Sequence, residues 1–157
     1  MSWTRSKGMQ QMGRYCAYQE RSHSEVRRKL RQLKCPPDEA EEVMVQLIEM
    51  GFLNEERFAR SYARGKFRQK SWGRHKIRQG LREKGIGEHL LEMALREEIS
   101  ETDYRDTLRR EMQKKWPTET PPGYEDRQKV RQHFIRRGFE WELVDEIANA
   151  LFGSDRA

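Results

Sequence analysis

The sequence is short of most features that mark extracellular, membrane or enzymatic classes. Only two cysteines, Cys16 and Cys35, occur in 157 residues, too few for the disulfide framework of a small secreted domain. The best apolar run, Val43 to Ile48, falls far below the roughly 20 residues of a membrane helix. Met1 to Lys7 place no apolar segment behind their charges, so no secretory leader is expected. Large apolar residues are scarce: Leu, Ile, Val and Phe together are 28 of 157, a fraction typical of disordered chains when net charge is also high. Here 32 Lys and Arg face 26 Asp and Glu, a balance of only +6. Self-repulsion therefore does not hold the chain open, and a thin or elongated core is expected. A cytoplasmic protein without membrane association is the reading these absences leave.

Signatures of catalysis are missing as well. Gly85-Ile86-Gly87 begins a dinucleotide fingerprint, but Leu90 stands where its third glycine belongs and no strand pattern precedes it. No phosphate loop ends in Gly-Lys-Ser or Gly-Lys-Thr. His23, His75, His89 and His133 have no metal-ligand spacing to one another or to the cysteines. Paired carboxylates abound, but none sits in apolar surroundings that would raise its pKa. No enzyme activity, cofactor or metal is expected; the expected work is binding.

What is present is a repeat. Ile77, Leu81 and Ile86 coincide with Val130, Phe134 and Phe139 at a shift of 53, and with Val26, Leu30 and Cys35 at a shift of 51. The register continues through Ala40, Val43 and Met44, then Leu91, Ala94 and Leu95, then Val144, Ile147 and Ala148. These spacings of three, four and seven residues are helical, and β-branched residues never alternate with polar ones over a useful length. Pro36-Pro37, Gly85 and Gly138 separate the two helices of each pair, and Gly51 follows the first pair. Ser22 with Glu25 has capping-box spacing, and Asn54 before Glu55-Glu56 reads as a helix start. A further helix precedes each pair, near Met9–Glu20, Asn54–Gln69 and Thr102–Lys115. The expected fold is all-α: nine helices in three tandem three-helix units, at 8–51, 52–100 and 101–153. The Pro-containing connection Trp116 to Tyr124 is expected to let the third unit pivot, and Gly65 and Gly73 to loosen the first helix of the second unit.

Charge sign repeats with the helices. The second helix of each unit is basic: net +4 over 24–34, +4 over 73–84 and +5 over 127–137. The third is acidic: −5 over 38–50, −3 over 87–99 and −4 over 140–151. Two readings stay open. The paired helices bridge their charges across solvated faces, with acids favoured at helix N-termini, or the basic helices line up as a stripe for a polyanion or a long acidic groove. The strongest block, Arg57 to Lys84, holds eleven bases against Glu83 alone, with Tyr62, Phe67 and Trp72 interleaved, a pattern that can neutralise phosphates and stack bases. Phe58 and Tyr62, four apart, read as core by spacing; Trp72 fits either role.

Three motifs then resemble one family. Arg21-Ser22-His23-Ser24-Glu25-Val26-Arg27-Arg28-Lys29-Leu30 is similar to the opening motif of RecX regulatory proteins. Gly51-Phe52-Leu53-Asn54-Glu55-Glu56-Arg57-Phe58-Ala59 resembles that family's Gly-aromatic-Leu-Asn/Asp segment. Trp72-Gly73 through Lys84-Gly85-Ile86, with Ile77 and Leu81 in register, resembles its Gly-x-x-x-Ile-x-x-x-Leu-x-x-Lys-Gly-Ile segment. The likeness covers about 14–100 well and is weaker in the third unit. Cys35-Pro36-Pro37 and the Pro-rich 117–122 depart from the usual pattern. The resemblance implies an elongated, curved molecule with helix-turn-helix-like units that binds RecA recombinase filaments and limits their growth and strand exchange in the DNA-damage response. It also implies contact with single- and double-stranded DNA. The expected filament- or DNA-facing residues are Arg64, Lys66, Arg68, Lys70, Arg74, Lys76, Arg78 and Arg82, with Arg27, Arg28, Arg31, Arg127, Lys129 and Arg131 extending the stripe. A monomer is the simplest expectation. A DNA-binding module acting without a recombinase, and a helical scaffold with an incidental basic stripe, remain as alternatives.

Overall fold

A computed structural model describes residues 2–116 and 122–153 and contains nine helices and no strand among them. The first unit holds α1 (Arg5–Tyr18), α2 (His23–Gln32) and α3 (Pro37–Glu49). The second holds α4 (Glu55–Lys70), α5 (Arg74–Glu83) and α6 (Glu88–Glu98), and the third α7 (Glu101–Lys115), α8 (Tyr124–Arg136) and α9 (Trp141–Phe152). The chain is thus all-α with a repeated helical unit. None of the described helices is long and apolar enough to cross a membrane.

Helix ends follow from local chemistry. The Ser22 hydroxyl accepts from Glu25 N–H at 3.1 Å while the Glu25 carboxylate accepts from Ser22 N–H at 2.9 Å, a complete capping box. Asn54 caps α4 by accepting from Arg57 N–H at 2.9 Å. α1 begins a turn before the expected Met9, because Thr4 accepts from Lys7 N–H. That turn, Arg5-Ser6-Lys7-Gly8, has no apolar spacing to betray it, and Gly8 is where the Trp3 ring lies against the helix. At the other end, α2, α5 and α8 all close with one Schellman pattern: Cys35, Ile86 and Phe139 N–H donate to the carbonyls of Leu30, Leu81 and Phe134 at 3.0, 3.0 and 3.1 Å. Gly85 and Gly138 take the left-handed position there (φ 80 and 101); in the first unit that position is Lys34 (φ 66).

The core is divided. Met12, Val26, Leu30, Val43, Leu47 and Leu53 belong to a cluster confined to the first unit and its exit turn. The second and third units share another, in which Phe67, Ile77 and Leu81 join Tyr104, Phe134 and Phe139. Tyr104 is its centre, with ring centroids 6.0 Å from Phe67 and 5.1 Å from Phe139. Phe58 is in this core and Tyr62 packs at its edge, as their spacing predicts.

Two junctions differ accordingly. Between the first and second units the contacts outside the Phe52-Leu53 turn are polar: Ser24 Oγ to Lys84 O (3.1 Å), Lys84 to Glu25 (3.7 Å), His23 to Glu55 (3.5 Å) and Arg57 to Glu20 (2.6 Å). Between the second and third, backbone meets backbone. Gly73 N–H donates to Arg137 O at 2.7 Å and His75 N–H to Gly138 O at 3.0 Å. The C-terminal turn of α8 thereby caps α5, which has no side-chain cap of its own. A Cβ on Gly73 would fall 2.2 Å from the backbone of Gly138 and Phe139, so only glycine permits the approach. Gly73 therefore locks a junction, and α4 runs unbroken through Gly65; neither loosens the helix. Residues 117–121 of the Pro-containing connection lie outside the described residues. On its far side α8 is docked against the second unit, which opposes the expected pivot of the third.

Candidate nucleic-acid interface

The basic helices place most of their arginines against their acidic neighbours. Arg27 Nε lies 3.4 Å from Glu41, Arg78 Nε 2.6 Å from Glu92, and Arg131 Nε 3.2 Å from Asp145. These are one ion pair at one repeat position, fourteen residues apart each time. In the second unit Arg82 also meets Glu88 at 2.6 Å, and Arg64 of α4 reaches Glu98 at 2.9 Å. Such exposed pairs contribute little to stability one by one, but together they neutralise much of the stripe seen in the sequence.

Arg74 is committed to the junction. Its guanidinium bridges Glu140 (2.8 Å) and Glu101 (2.6 Å) and lies 3.8 Å from the Tyr104 ring centroid, and the Arg74 backbone N–H donates to the Tyr104 hydroxyl at 2.9 Å. Tyr104 in turn donates to Glu140. Burial alone would push the Glu140 carboxyl up; the hydrogen bonds from Tyr104 and Arg74 outweigh it and hold it below the usual carboxylate range. Arg137 completes the clamp, donating to Lys70 O and Ser71 O (3.1 Å each) and to Glu111 (3.2 Å). Arg127 is buried, donating to Asn149 at 2.8 Å and to the Gly153 carbonyl that ends α9.

The remaining expected residues keep their charge available. Arg28, Arg31, Arg68, Lys70 and Lys129 are exposed and make no ion pair with described residues. Arg68 opens on a cleft shared with Asp103 and Asp106 of α7. Lys66 and Lys76 lie over Trp72, their ammonium groups 4.8 and 4.5 Å from its ring centroid. Trp72 itself packs half-buried against the shared core, so its role is split between core and cation seat.

The structure also gathers a cluster that charge counting passes over. Arg21 stacks 3.7 Å from the Tyr15 ring centroid and 5.9 Å from Tyr18, and Lys29 approaches Tyr15 at 5.5 Å. Burial pushes the Tyr15 phenol up, with Arg21 opposing, and the group stays protonated at neutral pH. Tyr18 is 83% exposed. An open aromatic face among cations is suited to stacking a base while neutralising its phosphates. The signal was the pair Tyr15 and Tyr18 one helical turn apart, followed by Arg21.

Comparison with known proteins agrees with this architecture. Family models described as the first, second and third three-helix domains of RecX match residues 10–47, 54–95 and 102–147. The crystal structure of RecX from Lactobacillus salivarius superposes with a TM-score of 0.81 at 27% identity, covering 93% of this chain and 95% of that one. A second crystal structure, of regulatory protein RecX, gives 0.77 at 25% identity over 92% of this chain and 71% of that one. No curated protein matches the chain by sequence. With three domain matches in chain order over three structural repeats, the chain belongs to the RecX family.

Proposed function

We propose that the chain is a negative regulator of RecA recombinase that binds the RecA–DNA filament, limits its growth, strand exchange and ATPase activity, and so moderates recombination and DNA repair in the cytoplasm. The observation that supports this reading is the ordered run of three RecX-type domains over residues 10–147. An array of repeats suits a helical lattice of identical subunits, because weak contacts made by successive units add through effective concentration. Within that contact, DNA falls to the unpaired cations Arg28, Arg31, Arg68, Lys70 and Lys129, with Lys66 and Lys76 at Trp72. Arg27, Arg64, Arg74, Arg78, Arg82 and Arg131 take part only where a phosphate or protein acid displaces their present carboxylate. Arg127 serves the fold.

RecA ATPase activity on single-stranded DNA, titrated with this protein and repeated with excess DNA, tests the proposal. Inhibition at substoichiometric protein that excess DNA does not relieve is the expected result. Inhibition only near saturation of the strand, and abolished by more DNA, would replace it with the reading favoured by the Tyr18–Arg21 cluster, a DNA-binding module with no recombinase partner. No inhibition would overturn both as accounts of RecA control.

A further inference from the structure

All the large apolar side chains that stand exposed among the described residues lie on the two terminal units; the middle unit has none. Repeat arrays that end as monomers do the reverse, with polar faces on their terminal units. The third unit shows how the patch arises. In the second unit Arg82 and Glu88 form a surface ion pair at 2.6 Å. The equivalent positions in the third unit are Ile135 and Trp141, 39% and 54% exposed. Tyr124 is exposed on the same face of α8 as Arg131 and Ile135, and the Arg131 guanidinium lies 5.8 Å from the Trp141 ring centroid. Ring, guanidinium and branched aliphatic together have the composition of an interface anchor.

The first unit departs from the repeat in the complementary way. Its α3 exposes Val45 (52%) and Ile48 (45%), with Met50 following (61%). The equivalents of Val45 are Arg96 and Asn149, polar in both other units. The equivalents of Ile48 are Ile99 and Phe152, both buried in the shared core. A position that two repeats bury is thus left open in the first.

Charge selects the occupant. The α3 patch sits on a helix with five acids and no base over 38–50; Glu39 and Glu42 meet Arg5 and Glu41 meets Arg27, while Glu49, beside Ile48, makes no ion pair with a described residue. The α8 patch sits on a segment of net +5 over 127–137, where Lys129 and Arg136 have no carboxylate partner. Trp141 itself lies between Glu140, which Arg74 and Tyr104 hold at the junction, and Glu142, and Glu125 and Asp126 follow Tyr124. Pairing α3 with α3 sets acid on acid, and α8 with α8 sets base on base; only α3 with α8 is complementary. We infer that copies of this chain associate head to tail, the Ile135–Trp141 face of one seating on the Val45–Ile48 face of the next. Such a contact is heterologous and propagates as an open row. With so few anchors it is smaller than a standard stable interface, so it is weak in free solution and is built up where copies share a template. The inference concerns the protein alone and does not depend on its binding RecA.

Sedimentation velocity of the full chain from about 10 μM to about 1 mM tests it. The weight-average mass should rise with concentration above 18.9 kDa. Ile135→Arg with Trp141→Glu copies the second unit's own ion pair, and Val45→Arg copies Arg96, so both variants use residues the repeat already tolerates. Each variant alone should stay monomeric throughout. Mixed in equal amounts, they should form dimers and nothing larger, since each retains one working face. A wild-type chain that stays monomeric across the range overturns the inference, as does association that both variants leave unchanged. A mixture that remains monomeric while wild type associates overturns the head-to-tail geometry.

Discussion

At the scale of single residues the repeat exposes its own exceptions. The second residue after α2, α5 and α8 must turn left-handed to close the Schellman pattern, and Gly85 and Gly138 do so freely. Lys34 does so at φ 66 against the steric cost of its Cβ. Lys34→Gly should stabilise the chain by about 0.5–1 kcal/mol, a rise of about 2 °C in the midpoint of thermal unfolding followed by circular dichroism. Gly85 has open space around it, so Gly85→Ala should lose a comparable amount by backbone strain alone. The two glycine stops were legible in the sequence because glycine announces its own conformational freedom. Lys34 is not, since no glycine marks its turn and Pro36-Pro37 beside it shows only that a helix ends. Ser22, Asn54, Phe58 and Tyr62 were legible because capping and helical spacing are local. Arg127 was not, since nothing in a run of basic residues distinguishes the one whose partners are Asn149 and the carbonyl at the end of α9.

At the scale of helices, the sign alternation proves to be both a structural and a sorting device. The Arg27–Glu41, Arg78–Glu92 and Arg131–Asp145 pairs tie each basic helix to its acidic partner, which answers the first of the two readings for those arginines. On the proposed function, the unpaired Arg28 and Arg31 of α2 are the cations left for a polyanion. Arg28→Glu with Arg31→Glu should weaken binding to single-stranded DNA and reduce the slope of log affinity against log salt by about 1.4, two contacts at about 0.7 each. Arg78→Gln should leave that slope unchanged, which fluorescence anisotropy across a salt series would report. The net charge of α5 hid this difference, because the acids that neutralise it come from helices further along the chain. The α5 start is also an element-scale feature, capped by the turn after α8 and by Tyr104. Glu140, Glu101 and Glu111 around it all have carboxyls held below their ordinary range, and hydrogen bonds from Arg74 and Arg137 contribute to this. A carboxyl whose pKa is depressed by folding stabilises the native state above its unfolded pKa, and that contribution is lost as pH falls through the folded one. The junction should therefore weaken below about pH 4.3, the ordinary glutamate value. Glu140→Gln should cost about 2 kcal/mol at pH 7 and flatten the acid loss, as calorimetry from pH 7 to pH 3 would show.

At the scale of the whole molecule, three sequence repeats make two physical bodies. Repeat arithmetic identifies three equal units, but it cannot say which units share a core. That depends on Gly73 meeting Gly138 across 65 residues, a backbone approach with no side-chain pattern to advertise it. The second and third units are joined by buried aromatic packing around Tyr104. The first is joined to the second by the Phe52-Leu53 turn and by pairs such as Arg57–Glu20 and Lys84–Glu25, exposed enough for salt to screen. The Arg57 guanidinium also donates to Gly51 O at 2.9 Å, bracing the turn from outside. Any bending of the array along a partner therefore concentrates at 51–54, where few apolar contacts must break, and not at the Pro-containing connection. Native-state hydrogen exchange read by mass spectrometry should resolve this. The amides of α4 to α9 should open together at the global free energy, while those of α1–α3 form a separate group with its own lower opening energy. Raising salt to about 1 M, where the screening length is about 3 Å, should widen the gap between the groups, since the polar bridge is what couples them. A single group embracing all helices at both salt concentrations would mean that the Phe52-Leu53 turn alone joins the first unit to the shared core, and the array would then meet its partner as one rigid body.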